Sequence, residues 1–171
     1  MPPRRRRPTR GPVRVSGRRR PTWATIDSAI LSPASGATIT PIDVISDLEV
    51  SGVGVVGATV VRTHLKIDCS SPTSDTHPGL RFGLIVWDST AGLPDPSADK
   101  EDDWYMWDVL SPALSRQAIL VGTSILYGKT YDIRSMRKLH QLHDKPFFTL
   151  HNSGSTTLSV VVTIRTLLAL P

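Results

Sequence analysis

The sequence has one cysteine, Cys69, in 171 residues. A single thiol excludes an intrachain disulfide and a zinc cluster built on several cysteines, and gives no sign of a secreted disulfide scaffold. No apolar run approaches the roughly 20 residues of a membrane span, and the N-terminus has no apolar h-region of the secretory kind. The chain is therefore expected to be soluble. Pro2, Pro3, Pro8 and Pro12 oppose the amphipathic helix of a mitochondrial presequence, which the arginine-rich start otherwise resembles. There is no G-x-S-x-G elbow, no P-loop and no G-x-G-x-x-G after a strand. The glycines of SGVGVVG open a β-rich run instead of a helix, so catalysis has little to rest on. Long amphipathic helices, internal repeats and a 30-residue βαβ rhythm are absent too.

What is present is concentrated at the front. Residues 1–20 hold nine arginines (Arg4, Arg5, Arg6, Arg7, Arg10, Arg14, Arg18, Arg19 and Arg20) with no lysine and no acid. Met1, Val13 and Val15 are nearly all of its apolar content, too little to offset the entropy of ordering the chain. The segment is expected to be disordered until a polyanion binds it. Arginine suits that partner, because its guanidinium makes bidentate phosphate contacts, stacks on bases and stays charged. Nine phosphate contacts on a single strand give a salt slope of about −6, strong at low salt and nearly blind to sequence. A nuclear-localisation signal or a solubilising tail is the plainer reading of a basic run. Arginine alone, spread over seventeen positions, favours nucleic-acid packaging.

The remainder has the opposite sign. The net charge is +5, and removing the arm's +9 leaves −4 on residues 21–171. The boundary is placed at Pro21, with an arm of residues 1–21 and one folded domain of residues 22–171. That domain is not expected to bind nucleic acid by bulk charge alone.

Its pattern is β throughout. Trp23–Ile30 and Ala37–Val50 read as short extended pieces, although Asp43–Val50 has helical spacing as well. Val55–Ile67 alternates apolar and basic after Val60, putting Arg62, His64 and Lys66 on one face and Val61, Thr63, Leu65 and Ile67 on the other. Gly52, Gly54 and Gly57 suggest a bent start. Leu80–Trp87 is an apolar run suited to a central strand. Trp104–Leu110 fits strand or helix. Ile119–Tyr127 and Thr130–Met136 read as two strands joined at Gly128-Lys129. Pro146–His151 and Thr156–Leu170 complete about eight strands, which suit an antiparallel sandwich or barrel, the jelly roll among them.

Other clusters are weaker. Trp104, Tyr105, Met106 and Trp107 suit a core, or a subunit interface, where aromatics and Met are enriched. Asp95, Asp99, Glu101, Asp102 and Asp103 read as a solvated loop that does not match an EF-hand; Ca²⁺ shared between subunits is the alternative. His140-x-x-His143-Asp144 lacks the HExxH arrangement and lies near Lys138 and Lys145, so no metal site is assigned.

The arginine-rich arm, the TW that follows, TVVRTHLKI, an acidic loop into DWYMW, YDIRSMRKL and a β-rich C-terminus together resemble single-jelly-roll coat proteins of small icosahedral viruses. The likeness is strongest to circular single-stranded DNA viruses and small satellite-type viruses. The resemblance implies an all-β, antiparallel, eight-stranded jelly-roll sandwich with a disordered arginine-rich N-terminal arm. It implies a non-enzymatic protein that binds copies of itself, sixty in a T=1 shell, and a single-stranded genome of DNA or RNA. It also implies residence in the virion, with assembly in the host nucleus or cytoplasm, no membrane partner and no obligatory cofactor. On that reading the arm's arginines bind the genome, and Arg62, Lys66, Arg137 and Lys138, with His64 and Arg134, add to a basic inner surface. The alternative is a non-viral single-strand nucleic-acid-binding β-barrel with a basic tail. Its sheet is expected to display aromatics among basic residues, whereas the WYMW cluster lies beside Asp102, Asp103 and Asp108.

Overall fold

A computed structural model describes residues 21–50, 55–75, 79–92, 94, 96–97, 104–141 and 143–171. The arm's nine arginines and its expected disorder lie outside the described residues, as do Gly52, Gly54 and the five acids considered for Ca²⁺.

The described residues form nine strands and one short helix. They are β1 (Thr22–Leu31), β2 (Ile42–Asp43), α1 (Ser46–Val50), β3 (Thr59–Pro72), β4 (Leu80–Asp88), β5 (Trp104–Leu110), β6 (Ile119–Val121), β7 (Ser124–Lys138), β8 (Asp144–Asn152) and β9 (Ser159–Ala169). Two antiparallel sheets result, in the orders β1-β9-β3-β7-β6 and β2-β8-β4-β5. The pairs nest: β1 with β9, β2 with β8, β3 with β7, and β4 with β5. A ribbon of nested antiparallel pairs rolled over itself, with successive pairs falling in alternate sheets, is a jelly-roll-like sandwich. The closed barrel does not form, because β1 and β6 remain edges of one sheet and β2 and β5 of the other.

Alternation explains the core. On β9, Val160, Val162, Ile164, Thr166 and Leu168 are buried while their neighbours are not. Phe82 of β4 meets Tyr131 of β7 edge-on at 5.6 Å and Phe148 of β8 at 6.4 Å, so the ring joins the two sheets.

Three expectations are corrected. The parity of β3 reverses at a bulge between Val60 and Arg62, so Val60 is buried together with Thr63, Leu65 and Ile67, and Val61 is the extra residue. The turn expected at Gly128-Lys129 lies at Gly122-Thr123, and β7 runs unbroken through Gly128. Gly122 has φ +60°, as a tight turn requires, whereas a Cβ on Gly128 would lie 2.7 Å from the Ile67 carbonyl oxygen. That glycine serves close approach of two strands. The segment Ala37–Val50 is mostly not strand: only β2 and an isolated Thr38–His151 bridge pair, and α1 follows. Asp43 Oδ1 accepts the Ile45 N–H at 3.0 Å, a local bond that competes with a ladder.

Candidate nucleic-acid interface

Residues directly opposed on antiparallel strands point to the same face. The outward face of the five-stranded sheet can therefore be assembled row by row. Nearest the start of β1, Trp23 is opposite Leu167, Leu167 opposite Arg62, and Arg62 opposite Arg134. The next row is Thr25, Arg165, His64 and Asp132, and after it come Thr163, Lys66 and Thr130. Ile30, Val161, Asp68 and Gly128 form a further row. Lys138, opposite Thr59, extends the face beyond the Trp23 row. These rows hold five Lys and Arg (Arg62, Lys66, Arg134, Lys138 and Arg165) against two acids, Asp68 and Asp132, a local sign opposite to that of the domain.

Two of the five cations are held internally. The Arg62 guanidinium forks onto the Asp132 carboxylate, with its Nε 2.6 Å from Oδ1. That hydrogen bond, then the charges of Arg62, His64 and Arg134, holds the Asp132 carboxyl below the usual range and raises the guanidinium in turn. His64 Nδ1 lies 3.5 Å from Asp132 Oδ1. Lys66 Nζ meets Asp68 Oδ2 at 2.6 Å. Among the described residues, Arg134 and Arg165 have no carboxylate at ion-pair distance and lie on the outward face.

Of the residues expected on a basic surface, Arg62, His64, Lys66, Arg134 and Lys138 share this face. Arg137 does not. Its register partner is the buried Val60, and its charge acts on the phenol of Tyr105, which burial pushes well above the ordinary tyrosine range. Trp23 and Arg165 are the residues that sequence reasoning missed. Trp23 had every mark of a core side chain, yet it is 45% exposed while Ala24 beside it is buried. The available signal was parity, since Trp23 and Thr25 alternate with Ala24 and Ile26. The Trp23 indole stacks on the His64 imidazole at 5.6 Å between ring centroids and 22° between planes.

Toward the other end of this face the segment around Gln117 leads into β6 at the sheet's edge. A cleft of about 450 Å³ there is lined by Lys66, Asp68, Gln117, Leu126, Gly128 and Val161. Ile119, Leu120 and Val121 of β6 are 54–67% exposed, and Leu114 and Leu126 are exposed too. Ile30, 76% exposed, lies at the opposite edge of the sheet on β1.

The WYMW cluster is divided between two faces. Met106 faces the interior opposite Leu84. Trp104 is 4% exposed on the outer side of the four-stranded sheet, seated on Gly83, where an added Cβ would meet its ring at 2.5 Å. The connection after β4 passes near that side, where Trp87 Nε1 donates to the Gly92 carbonyl at 3.1 Å and Arg81 to the Ser97 carbonyl. Trp104 and Met106 are thus buried within the chain itself, and Tyr105 and Trp107 are half-buried. At the two histidines, Asp144 Oδ2 accepts the His140 and Gln141 backbone N–H groups at 2.8 and 2.9 Å. Among the described residues no three His, Cys, Asp or Glu side chains converge as metal ligands, and no helix is long and apolar enough to cross a membrane.

No protein-family model matches the chain, and no curated protein matches it. Among solved structures it is similar to a chain of the Cocksfoot mottle virus structure, at 12% identity over 99% of this chain and 96% of that one, with a TM-score of 0.34. A chain of the heated full particle of Israeli acute paralysis virus matches at 12% identity, over 99% of this chain and 83% of that one, with the same TM-score of 0.34.

Proposed function

We propose that the chain is the structural subunit of a small icosahedral viral shell that packages a single-stranded genome. In this reading residues 22–171 are an eight-stranded jelly roll with β6 as an added edge strand, and residues 1–21 are a genome-binding arm. The observation that carries it is where the charges meet. The arm joins β1 at residue 21, beside the Trp23–Leu167–Arg62–Arg134 row, at the same end of the sheet as Lys138. The point where the nine-arginine segment joins the domain therefore lies next to the cationic end of one face, in a domain whose net charge, that face included, is −4. A wall that is acidic overall, with one basic face and a basic arm, directs a polyanion to a single side.

Self-association is supported by the sheet edges. Natural edge strands are blunted by charge, proline or a cover. One stretch of the β1 edge has such a cover, because Asp47 of α1 accepts the Thr25 N–H at 3.0 Å. β6 carries only Ile, Leu and Val, all exposed, and Ile30 stands out from the opposite edge. Apolar groups on opposite edges suit heterologous contacts that close by rotation into a ring or shell, here of sixty copies. Nothing in this reading requires catalysis.

The test is expression of the full chain and of residues 21–171, with particle mass from light scattering and nucleic-acid content from the 260/280 absorbance ratio. The full chain is expected to give particles with bound nucleic acid, and residues 21–171 to lose the nucleic acid. A monomer under all salt and pH conditions, even with nucleic acid added, overturns the reading. Particles of residues 21–171 that keep their nucleic acid overturn the role of the arm.

A further inference from the structure

We infer that Trp23, backed by His64, is a base-stacking site for single-stranded nucleic acid on the outward face of the five-stranded sheet. The inference rests on the packaging reading and adds to it a contact that reads bases as well as phosphates.

A tryptophan 45% exposed on an outward sheet face is out of keeping with its row, because the indole gives up burial that the core offers to Ala24 next to it. It is held there instead. To reach His64 on β3 from β1, the ring spans β9, whose residues in those two rows are Leu167 and Arg165. The imidazole is itself positioned by Asp132, 3.5 Å from Nδ1, and that carboxylate is fixed by the Arg62 fork. A ring locked by a chain of contacts keeps one aromatic surface available without losing rotamer freedom on binding.

The surroundings specify the ligand. Arg134 and Arg165, with no carboxylate partner among the described residues, stand in the Trp23 row and the next one. An exposed aromatic ring that shares its sheet face with the guanidinium groups of Arg165 and Arg134 fits a π-face flanked by phosphates. That chemistry belongs to an unpaired nucleotide, since the faces of paired bases are already stacked inside a duplex. An acidic peptide would satisfy the charges and leave the ring without a partner.

The test uses the full-length chain and three fluorescein-labelled probes of equal length: an oligo(dT) strand, the oligo(dT)·oligo(dA) duplex, and an abasic deoxyribose-phosphate strand. Each is titrated by anisotropy across a salt series. Wild type is expected to bind oligo(dT) more tightly than the abasic strand, and Trp23→Leu to weaken oligo(dT) binding roughly ten-fold. Abasic binding and the salt slope should be unchanged in Trp23→Leu, because no phosphate contact is removed. Trp23→Phe, which keeps a ring, is expected to retain most of the preference and confirms that substitution at this position leaves the sheet intact. Equal losses on the oligo(dT) and abasic strands, or no loss on either, overturn the inference. If wild type binds none of the three probes, the packaging reading fails. If it binds oligo(dT) and abasic strands equally, only the stacking site fails.

Discussion

Asn152, at the end of β8, is fully buried and ties the turn that follows it to the segment around Pro33, more than a hundred residues away. Its Nδ2 donates to the Pro33 carbonyl at 3.0 Å and the Thr156 carbonyl at 2.7 Å, and its Oδ1 accepts the Gly154 N–H at 2.8 Å. The backbone of the same residue bonds to Ala37 and Gly36, so one residue closes this end of the sandwich. Substitution by Asp changes few atoms and reverses the chemistry, because a carboxylate would then face two carbonyl oxygens. Two lost donors cost about 1 kcal/mol each, and an uncompensated buried charge about 3 kcal/mol more, giving roughly 4–5 kcal/mol. Asn152→Ala loses all three side-chain bonds without adding a charge and should cost about 3 kcal/mol. With a urea m-value near 2 kcal/mol per molar, the midpoint is expected to fall by about 2 M for Asn152→Asp and about 1.5 M for Asn152→Ala, followed by tryptophan fluorescence. The Asp variant should also recover part of its loss in acid. Its carboxyl, buried against carbonyl oxygens, takes up a proton more readily folded than unfolded, so its stability rises as pH falls. A midpoint shift under about 0.3 M for either variant would refute the assignment of Asn152 as the pin of this corner.

Asp108 links the sheets at their edge: Lys129 Nζ and the Tyr131 hydroxyl each reach its Oδ2 at 2.8 Å. Burial opposes its ionisation, but these bonds and the Val109 N–H outweigh it and hold the carboxyl below the usual range. A lowered folded pKa gives stability that is present above the unfolded carboxylate range and lost as pH falls through the folded value. Asp108→Asn should therefore lower stability by about 1 kcal/mol at neutral pH, a modest figure for a partly exposed pair, and the difference from wild type should vanish in acid; a difference independent of pH counts against it. Cys69 is buried, and burial pushes its thiol up to about 11 against a weaker opposing bond from Tyr127. Native protein at pH 8 should resist a disulfide-exchange thiol reagent and label with one equivalent in denaturant; rapid labelling of the native state would show that the strand opens.

Much of the body was legible along the chain because burial leaves a period-2 trace in local sequence. Val160, Val162, Ile164 and Leu168 have it, as does the apolar run Leu80–Trp87, and the central β3 and β4 were recognisable as strands. The charge division is a matter of composition alone, and it needs no coordinates: nine arginines precede a domain of net charge −4. Strand pairing is different, since β1 meets β9 across more than a hundred residues and no local pattern encodes that contact. The bulge at Val61 shifts parity through pairing with β9, so the alternation of β3 alone grouped Val61 with the buried Thr63, Leu65 and Ile67. Gly128 and Gly122 look alike as letters. One has a carbonyl of the neighbouring strand pressed against it and the other turns the chain at positive φ. Trp23 is the sharpest case: hydrophobicity predicts its burial, and only the register of β1 on β9, with His64 two strands away, places the ring outward among arginines. Sequence determined the kinds of element and the sign of each segment's charge, which are local sums. Tertiary structure decided which side chains share a surface, because that depends on contacts between residues the chain keeps far apart.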